Sequence, residues 1–179
     1  MGHRRIEPDV VICGAAVSAC EKAGQWQRAL ALFGALGQRR IEPNVVICNA
    51  AVSACEKAGQ WQRALALFGS MGHRRIEPSG VTCSAAVSAC EKAGQWQRAL
   101  ALFGAMGHRR IEPDVVTCLA ALCACEKGGQ WQLSLALFGA MGHRRIVPDD
   151  SVYNSLLDSV FDQPVVWSVF YDALRDGAY

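Results

Sequence analysis

Apolar residues recur along this chain at a helical spacing, and the whole pattern recurs every 35 residues. The block VSACEKAGQWQRALALFG occurs unchanged at residues 17–34, 52–69 and 87–104. The prolines near the end of each copy keep the same spacing: Pro8, Pro43, Pro78, Pro113 and Pro148. Self-similarity at a fixed period predicts a linear stack of repeats, because each short repeat buries its apolar face against its neighbours.

Each repeat is predicted to fold as two helices joined by a short turn. In the first repeat, helix A covers residues 10–23, and Gly24 is placed to end it. Helix B covers residues 25–36, and Gly37 begins the turn that closes it. One face of helix B is apolar at the helical period: Trp26, Ala29, Leu30, Phe33 and Leu36. The residue after each proline can cap a helix N-terminus: Asp9, Asn44, Ser79, Asp114 and Asp149.

The sequence therefore predicts an all-α fold, an α-solenoid of stacked helix-turn-helix repeats that winds into a right-handed superhelix with a concave surface. Full repeats are expected at 10–44, 45–79, 80–114 and 115–149. Residues 1–9 match the tail of a preceding repeat, so we expect a fragment of a longer array or a truncated first repeat. Residues 150–179 are expected to form a degenerate C-terminal capping repeat, with Pro164 in the first turn of its second helix.

Charge is distributed unevenly along the chain. Residues 1–149 contain 17 Lys and Arg against 11 Asp and Glu, whereas residues 150–179 contain one Arg against five Asp. A basic array followed by an acidic cap favours an anionic partner, although solvated helix faces also account for much of this charge.

Cysteine and histidine positions argue against disulfides, metals and catalysis. Cys13 and Cys20 lie on one helix about 10 Å apart along its axis, which is too far for a disulfide. Cysteines of this kind are predicted to be buried, reduced thiols, and the Cys123 and Cys125 pair lacks the partners of a zinc site. We find no H-x-E motif, no C-x-x-C and no phosphate-binding loop. The sequence predicts no enzyme, no cofactor, no small-molecule substrate, no membrane span and no targeting segment within the chain.

One helix A position differs in every full repeat while its neighbours stay almost constant. The segments CGAAVSAC, CNAAVSAC, CSAAVSAC and CLAALCAC place Gly14, Asn49, Ser84 and Leu119 at the same position. Neutral change on a solvated face would also alter other exposed positions, yet the segment QWQRALALFG of helix B is unchanged in the first three repeats. The variation therefore favours recognition of a ligand.

A repeat of this length that closes with I-E-P-D or I-E-P-N and opens V-V-x-C-N or V-Y-N-S-L resembles the pentatricopeptide repeat family, in its plain form with uniform units, the P-type array. The K-A-G helix junction and the A-L-x-L-F segment of helix B occur at the expected offsets. The tetratricopeptide repeat is the competing architecture, but its unit is shorter and carries W-x2-L-G-x2-Y, which is absent here.

The resemblance implies sequence-selective binding of single-stranded RNA, with one base read per repeat by two or three side chains. It also implies a role in organelle RNA processing, stability or translation, in a mitochondrion or plastid, with RNA-processing proteins as further partners. The alternative is a protein–protein interaction scaffold that uses the same concave face.

Family resemblance also assigns residues to roles. Base-reading residues would form two columns: Gly14, Asn49, Ser84, Leu119 and Asn154, then Asn44, Ser79, Asp114 and Asp149. Valines would sandwich the bases: Val11, Val46, Val81 and Val116. Lysines would contact phosphates: Lys22, Lys57, Lys92 and Lys127.

Pairs of these residues carry different chemistry. Ser84 with Asp114 resembles a guanine reader, and Asn49 with Ser79 resembles a pyrimidine reader. Gly14 and Leu119 have no side-chain hydrogen-bonding group, so their repeats should discriminate poorly. Capping alone would also select the polar residues that follow the prolines.

Overall fold

Helices A and B alternate along the chain as the repeat period predicts. The structure, a computed structural model, describes residues 10–39, 41–143 and 146–160, and within these ranges it contains nine α-helices and no strand. The helices are α1 Val10–Lys22, α2 Trp26–Gln38, α3 Val45–Lys57, α4 Trp61–His73, α5 Gly80–Lys92, α6 Trp96–His108, α7 Val115–Lys127, α8 Trp131–His143 and α9 Asp150–Val160. The second helix expected at Pro164 lies outside the described residues.

Each helix A ends where the sequence predicts, in a glycine-dependent turn. Gly24 has φ 68°, in the left-handed region that residues with a Cβ avoid. Gln25 N–H donates to Cys20 O at 2.8 Å and Gly24 N–H donates to Glu21 O at 3.2 Å, which together form a Schellman motif. The same left-handed glycine recurs at Gly59, Gly94 and Gly129.

The prediction that helix B ends at Gly37 is wrong. Helix α2 passes through Gly37 to Gln38, and Ile41 N–H donates to Leu36 O at 2.9 Å beyond its end. In the later repeats the left-handed residue is the second arginine of each pair, with φ 57° at Arg75 and 56° at Arg110. The turn therefore places its strained residue after the glycine, at an arginine.

The predicted N-terminal caps of helix A are confirmed wherever the structure describes them. Asn44 Oδ1 accepts from Ile47 N–H at 3.0 Å, and Asp149 Oδ1 accepts from Val152 N–H at 3.0 Å. Asp114 Oδ1 accepts from the N–H of Thr117 at 2.8 Å. Ser79 caps α5 in the same way, while Asp9 lies outside the described residues.

The chain divides into two compact units, Met1–Ala89 and Cys90–Tyr179, with the boundary inside α5. In the first unit, α1 packs on α2 and α3, and α3 packs on α2 and α4. The core here contains Val17, Leu36 and Ile47, with small residues of α3 around them. Helix α3 buries residues on most of its circumference, whereas α4 buries only Ala64 and Met71. Helix α3 is therefore the inner helix among those that it contacts, since a helix that is apolar on most sides is buried.

The second unit repeats this arrangement around α7, which packs on α6, α8 and α9. Its core contains Leu122, Phe138, Met141, Val152 and Leu156. Helix α9 adds a polar contact, because Ser159 Oγ donates to Ser134 Oγ at 2.9 Å and satisfies a fully buried hydroxyl. The described part of the last repeat thus covers the apolar face of the repeat before it.

Candidate nucleic-acid interface

The second residue of each helix A in the four full repeats is an exposed valine. The exposed fractions are 71% for Val11, 56% for Val46, 58% for Val81 and 56% for Val116. Such residues add little to either core. Ser151, at the same position of α9, is also exposed but lacks the apolar surface.

Each valine shares a helix face with the residue three positions later. These later residues form the variable column: Gly14, Asn49, Ser84 and Leu119. Val46 and Asn49 are three positions apart on α3, so their side chains are neighbours on the helix surface. Asn49 is half-buried, and its Oδ1 accepts a hydrogen bond from Ser79 Oγ at 3.1 Å. The structure therefore brings together the two residues that the sequence paired as one reader.

The variable column also packs against the following repeat. A Cβ at Gly14, which is buried, would lie 3.4 Å from Cγ1 of Ile47. Leu119 packs against the cluster that contains Val152 and Leu156. Asn49 Oδ1 accepts a hydrogen bond from the Thr82 hydroxyl. In the first and second repeats, the fifth residue of helix A lies against the third residue of the next helix A, and in the fourth repeat it packs against the cluster that contains that residue.

Sequence reasoning missed this third-position column, although its signal is present in the sequence. An apolar residue follows Gly14 and Leu119 at the matching position, namely Ile47 and Val152. Threonine follows the polar Asn49, as Thr82, and another threonine stands at the corresponding distance after Ser84. Packing against the next repeat is therefore a second cause of variation beside recognition.

Three of the residues after the prolines cap helix A with one side-chain oxygen and are exposed to solvent. Asp114 is exposed, and its Oδ1 accepts from both Thr117 N–H at 2.8 Å and Thr117 Oγ1 at 2.6 Å. Its second oxygen makes no hydrogen bond to the residues that the structure describes. Asn44 and Asp149 are also exposed and use one oxygen for capping, and Asn154 is exposed on α9.

Two of the four lysines that the resemblance assigns to phosphate contacts form ion pairs with the preceding repeat. Lys57 Nζ bonds the Glu21 carboxylate, and Lys127 Nζ donates to the Glu91 carboxylate at 2.6 Å. The hydrogen bond to Glu21, with the charge of Glu21, raises the pKa of Lys57 above its usual value. These lysines therefore bridge successive helices A, and a phosphate would compete with a glutamate for them.

Arginine and tryptophan side chains pack against each other at the edge of the first unit. The Arg63 guanidinium lies 4.7 Å from the ring centroid of Trp26. Trp26, Trp61, Trp96 and Trp131 are half-buried.

Burial disfavours the thiolate form of four helix A cysteines. Burial raises the pKa of Cys48, Cys55 and Cys90, and it raises the pKa of Cys125 to about 11. No group of three or more His, Cys, Asp and Glu among the described residues is placed to hold a metal ion. Within the same ranges, no helix is long and apolar enough to cross a membrane.

The fold and the repeated surface define a helical-repeat protein of the α-solenoid class. A model of the pentatricopeptide repeat domain matches residues 1–58 and 101–162, a PPR repeat family model matches 43–92, and a PPR repeat model matches 81–111. Because these matches cover most of the chain, it belongs to the pentatricopeptide repeat family. The family and the all-α solenoid class predicted from the sequence are confirmed.

Solved structures agree with this assignment. One match is the crystal structure of the pentatricopeptide repeat protein PPR10 in complex with an 18-nt psaJ RNA element. Its sequence identity to this chain is 30% and its TM-score is 0.71, and the match covers 87% of this chain and 23% of that one. PPR10 from maize is 27% identical, with a TM-score of 0.65, over 97% of this chain and 25% of that one. This chain thus spans about a quarter of PPR10.

A third structure shares the fold at lower identity. The PPR domain of Arabidopsis thaliana protein-only RNase P 1, in complex with tRNA, has a TM-score of 0.83 and 17% identity over 92% of this chain and 87% of that one. At this identity the likeness bears on the fold alone. A search of curated protein sequences finds no significant match.

Proposed function

We propose that this chain binds single-stranded RNA with sequence selectivity, reading about one base per repeat. The observation that carries the proposal is the group formed by exposed Val46, Asn49 one helical turn later, and Ser79 bonded to Asn49. A nucleobase has two apolar faces and a polar edge. An exposed valine beside an amide and a hydroxyl matches both features.

Single-stranded RNA fits this arrangement better than a duplex does. Base pairing hides the polar edges, whereas an unpaired base offers an edge to Asn49 and a face to Val46. Contacts with a base face contribute about 1–3 kcal/mol each for aromatic platforms, and less area is available on a valine. The excess of Lys and Arg over Asp and Glu in residues 1–149 favours a polyanion as the ligand.

The four repeats are expected to differ in selectivity. Asn49 with Ser79 would read a pyrimidine, and Ser84 with Asp114 would read guanine. Repeats that carry Gly14 and Leu119 at the reading position would tolerate several bases. The likeness to RNA-bound PPR10, at 30% identity, supports RNA as the ligand.

The biological role that follows is binding without catalysis. The RNA-bound chain would protect, remodel or present a transcript, and any cleavage would be done by partner proteins. By family resemblance, we place this role in RNA processing, stability or translation in a mitochondrion or plastid.

A selection from a random single-stranded RNA pool tests the proposal. Retained sequences should be enriched in a pyrimidine adjacent to guanine, and a duplex of the same sequence should bind at least tenfold more weakly. A pool retained without enrichment, or equal binding of duplex and single strand, contradicts the proposal and favours a protein-interaction scaffold.

A pair of charge-introducing variants locates the surface. Val46→Asp should weaken RNA binding tenfold or more, because it places a carboxylate where a base and its phosphate would lie. Val147→Asp makes the same change at a valine that is 82% exposed in a turn between helices. It should change affinity by less than threefold.

A further inference from the structure

Thr82 is a buried polar residue at the contact between repeats 2 and 3. Its side chain is fully buried, and its hydroxyl donates to Oδ1 of Asn49. Ser79 Oγ donates to the same oxygen at 3.1 Å. The Asn49 carbonyl oxygen therefore accepts two hydrogen bonds from the start of α5.

Both hydroxyl groups are held by the backbone in a reciprocal cap. Ser79 N–H donates to Thr82 Oγ1 at 3.1 Å, and Thr82 N–H donates to Ser79 Oγ at 3.3 Å. The two hydroxyl oxygens lie 3.0 Å apart, so one hydroxyl can donate to the other, but the Asn49 carbonyl oxygen is the acceptor within reach of both protons. This cap resembles the capping box, with Thr82 in place of the usual acidic or amide side chain.

The cap determines which way the Asn49 amide points. With Oδ1 towards the hydroxyls, every hydroxyl proton has an acceptor. The flipped amide would turn N–H donors towards two hydroxyls and leave a buried proton without an acceptor, which is unfavourable. In the observed orientation, Nδ2 makes no hydrogen bond to the described part of the chain.

We propose that Thr82 is a positioning residue that makes repeat 2 read a base through the N–H donors of Asn49 alone. This inference rests on the proposed function, because it concerns the same surface. A donor-only group suits cytosine, whose N3 and O2 are adjacent acceptors. Uracil places an N3–H donor between its carbonyls and needs an acceptor that Asn49 Oδ1 cannot supply while it is held by Thr82 and Ser79.

The pattern of residues along the chain agrees with this role. Ile47 and Val152 stand at the position of Thr82 in repeats whose preceding reader is Gly14 or Leu119. Where the position of Thr82 is apolar, the preceding reading residue has no side-chain amide to be oriented. A hydroxyl appears where the preceding reader has a polar side chain.

The test compares Thr82→Val with Thr82→Ser in the whole chain. Valine keeps the branched shape and removes the hydroxyl, whereas serine keeps the hydroxyl. The readout is the ratio of affinities for two single-stranded RNAs that differ only in cytosine or uracil at the base opposite repeat 2. Thr82→Val should lower this ratio roughly threefold to tenfold, the range expected for one hydrogen bond, and Thr82→Ser should restore it.

Thr117→Val serves as the matched control. It removes a hydroxyl from the same position of α7, where Thr117 Oγ1 donates to Asp114 Oδ1 at 2.6 Å. Both substitutions remove a hydroxyl from the third residue of a helix A, but in Thr117→Val the cytosine-to-uracil ratio at repeat 2 should stay within twofold of wild type.

A second readout needs no RNA. The order parameter of the Asn49 side-chain amide, measured by NMR, should fall in Thr82→Val and recover in Thr82→Ser. An unchanged ratio and unchanged amide order in a folded, RNA-binding Thr82→Val chain would overturn the inference and leave the proposed function standing. Failure of the wild-type chain to bind any RNA would overturn the proposed function and the base selection, while the amide order still decides whether Thr82 positions Asn49.

Discussion

Lys127 Nζ donates to the Glu91 carboxylate at 2.6 Å and to the Glu91 carbonyl oxygen at 3.1 Å, across 36 residues of sequence. Lys57 and Glu21 form the same pair in the first unit, also 36 residues apart. Exposed ion pairs contribute little to stability, about 0–1 kcal/mol. The Lys127 side chain is 43% exposed, so its ammonium group is accessible to a phosphate.

Glu91→Gln is expected to strengthen RNA binding. The neutral side chain no longer competes for Lys127, so affinity at low salt should rise severalfold. The slope of log affinity against log salt should steepen by about 0.7 if one further lysine neutralises a phosphate. Titrations at several salt concentrations measure both quantities.

Glu112→Gln controls for net charge, because Glu112 is an exposed residue of an inter-repeat turn and loses the same charge. The role of Lys127 at a phosphate is wrong if the two variants change the salt slope equally.

Replacing Leu119 and Val152 by the polar pair Asn and Thr tests how the variable column packs against the next repeat. Leu119→Asn should destabilise the fold by about 2–4 kcal/mol, because an amide replaces a packed side chain beside Val152 and Leu156. Adding Val152→Thr gives the amide a hydroxyl partner, as in the Asn49 and Thr82 pair. The double variant should recover about 0.5–2 kcal/mol relative to the sum of the single variants.

The free energies of unfolding in urea of the wild type, both single variants and the double variant complete a double-mutant cycle. Strict additivity would show that the fifth and third positions of successive helices A are not coupled.

The sequence predicts the repeat architecture well because its causes are local. Gly24 ends helix A since only glycine adopts the left-handed conformation easily, and Asn44 and Asp149 begin helices since their side chains accept N–H groups. Each of these signals lies within a few residues of its effect.

Contacts between repeats could not be predicted in the same way. Asn49 and Thr82 are separated by 33 residues, and their hydrogen bond depends on how one helix A packs on the next. The end of helix B was also predicted wrongly, because a glycine at Gly37 looks like a terminator although the left-handed residue of later repeats is an arginine. The ion pair of Lys127 with Glu91 is a third long-range contact of this kind.

Arg110→Gly is expected to stabilise the second unit. Arg110 has φ 56°, and a left-handed conformation costs a residue with a Cβ about 1–2 kcal/mol. Glycine relieves this strain but gains freedom in the unfolded chain, so the net gain should be about 0.5–1 kcal/mol. Thermal or urea unfolding measures the change.

Arg109→Gly is the matched control, because Arg109 has φ −90° and needs no glycine. It should be neutral or destabilising by up to about 1 kcal/mol. Equal effects of the two substitutions would mean that strain at Arg110 does not matter.

Two glycines of the second unit should respond oppositely to alanine. A Cβ at Gly128 would lie 2.6 Å from Cδ2 of Trp96, so Gly128→Ala must displace an indole ring and should destabilise by about 1–3 kcal/mol. Gly139 lies inside α8 with nothing within 4 Å of its Cβ position, so Gly139→Ala should stabilise by about 0.5–1 kcal/mol. Both substitutions restrict the unfolded chain alike, and the difference in sign isolates the contact with Trp96. Stabilisation by Gly128→Ala, measured by urea unfolding, would show that the Trp96 ring yields without loss of packing.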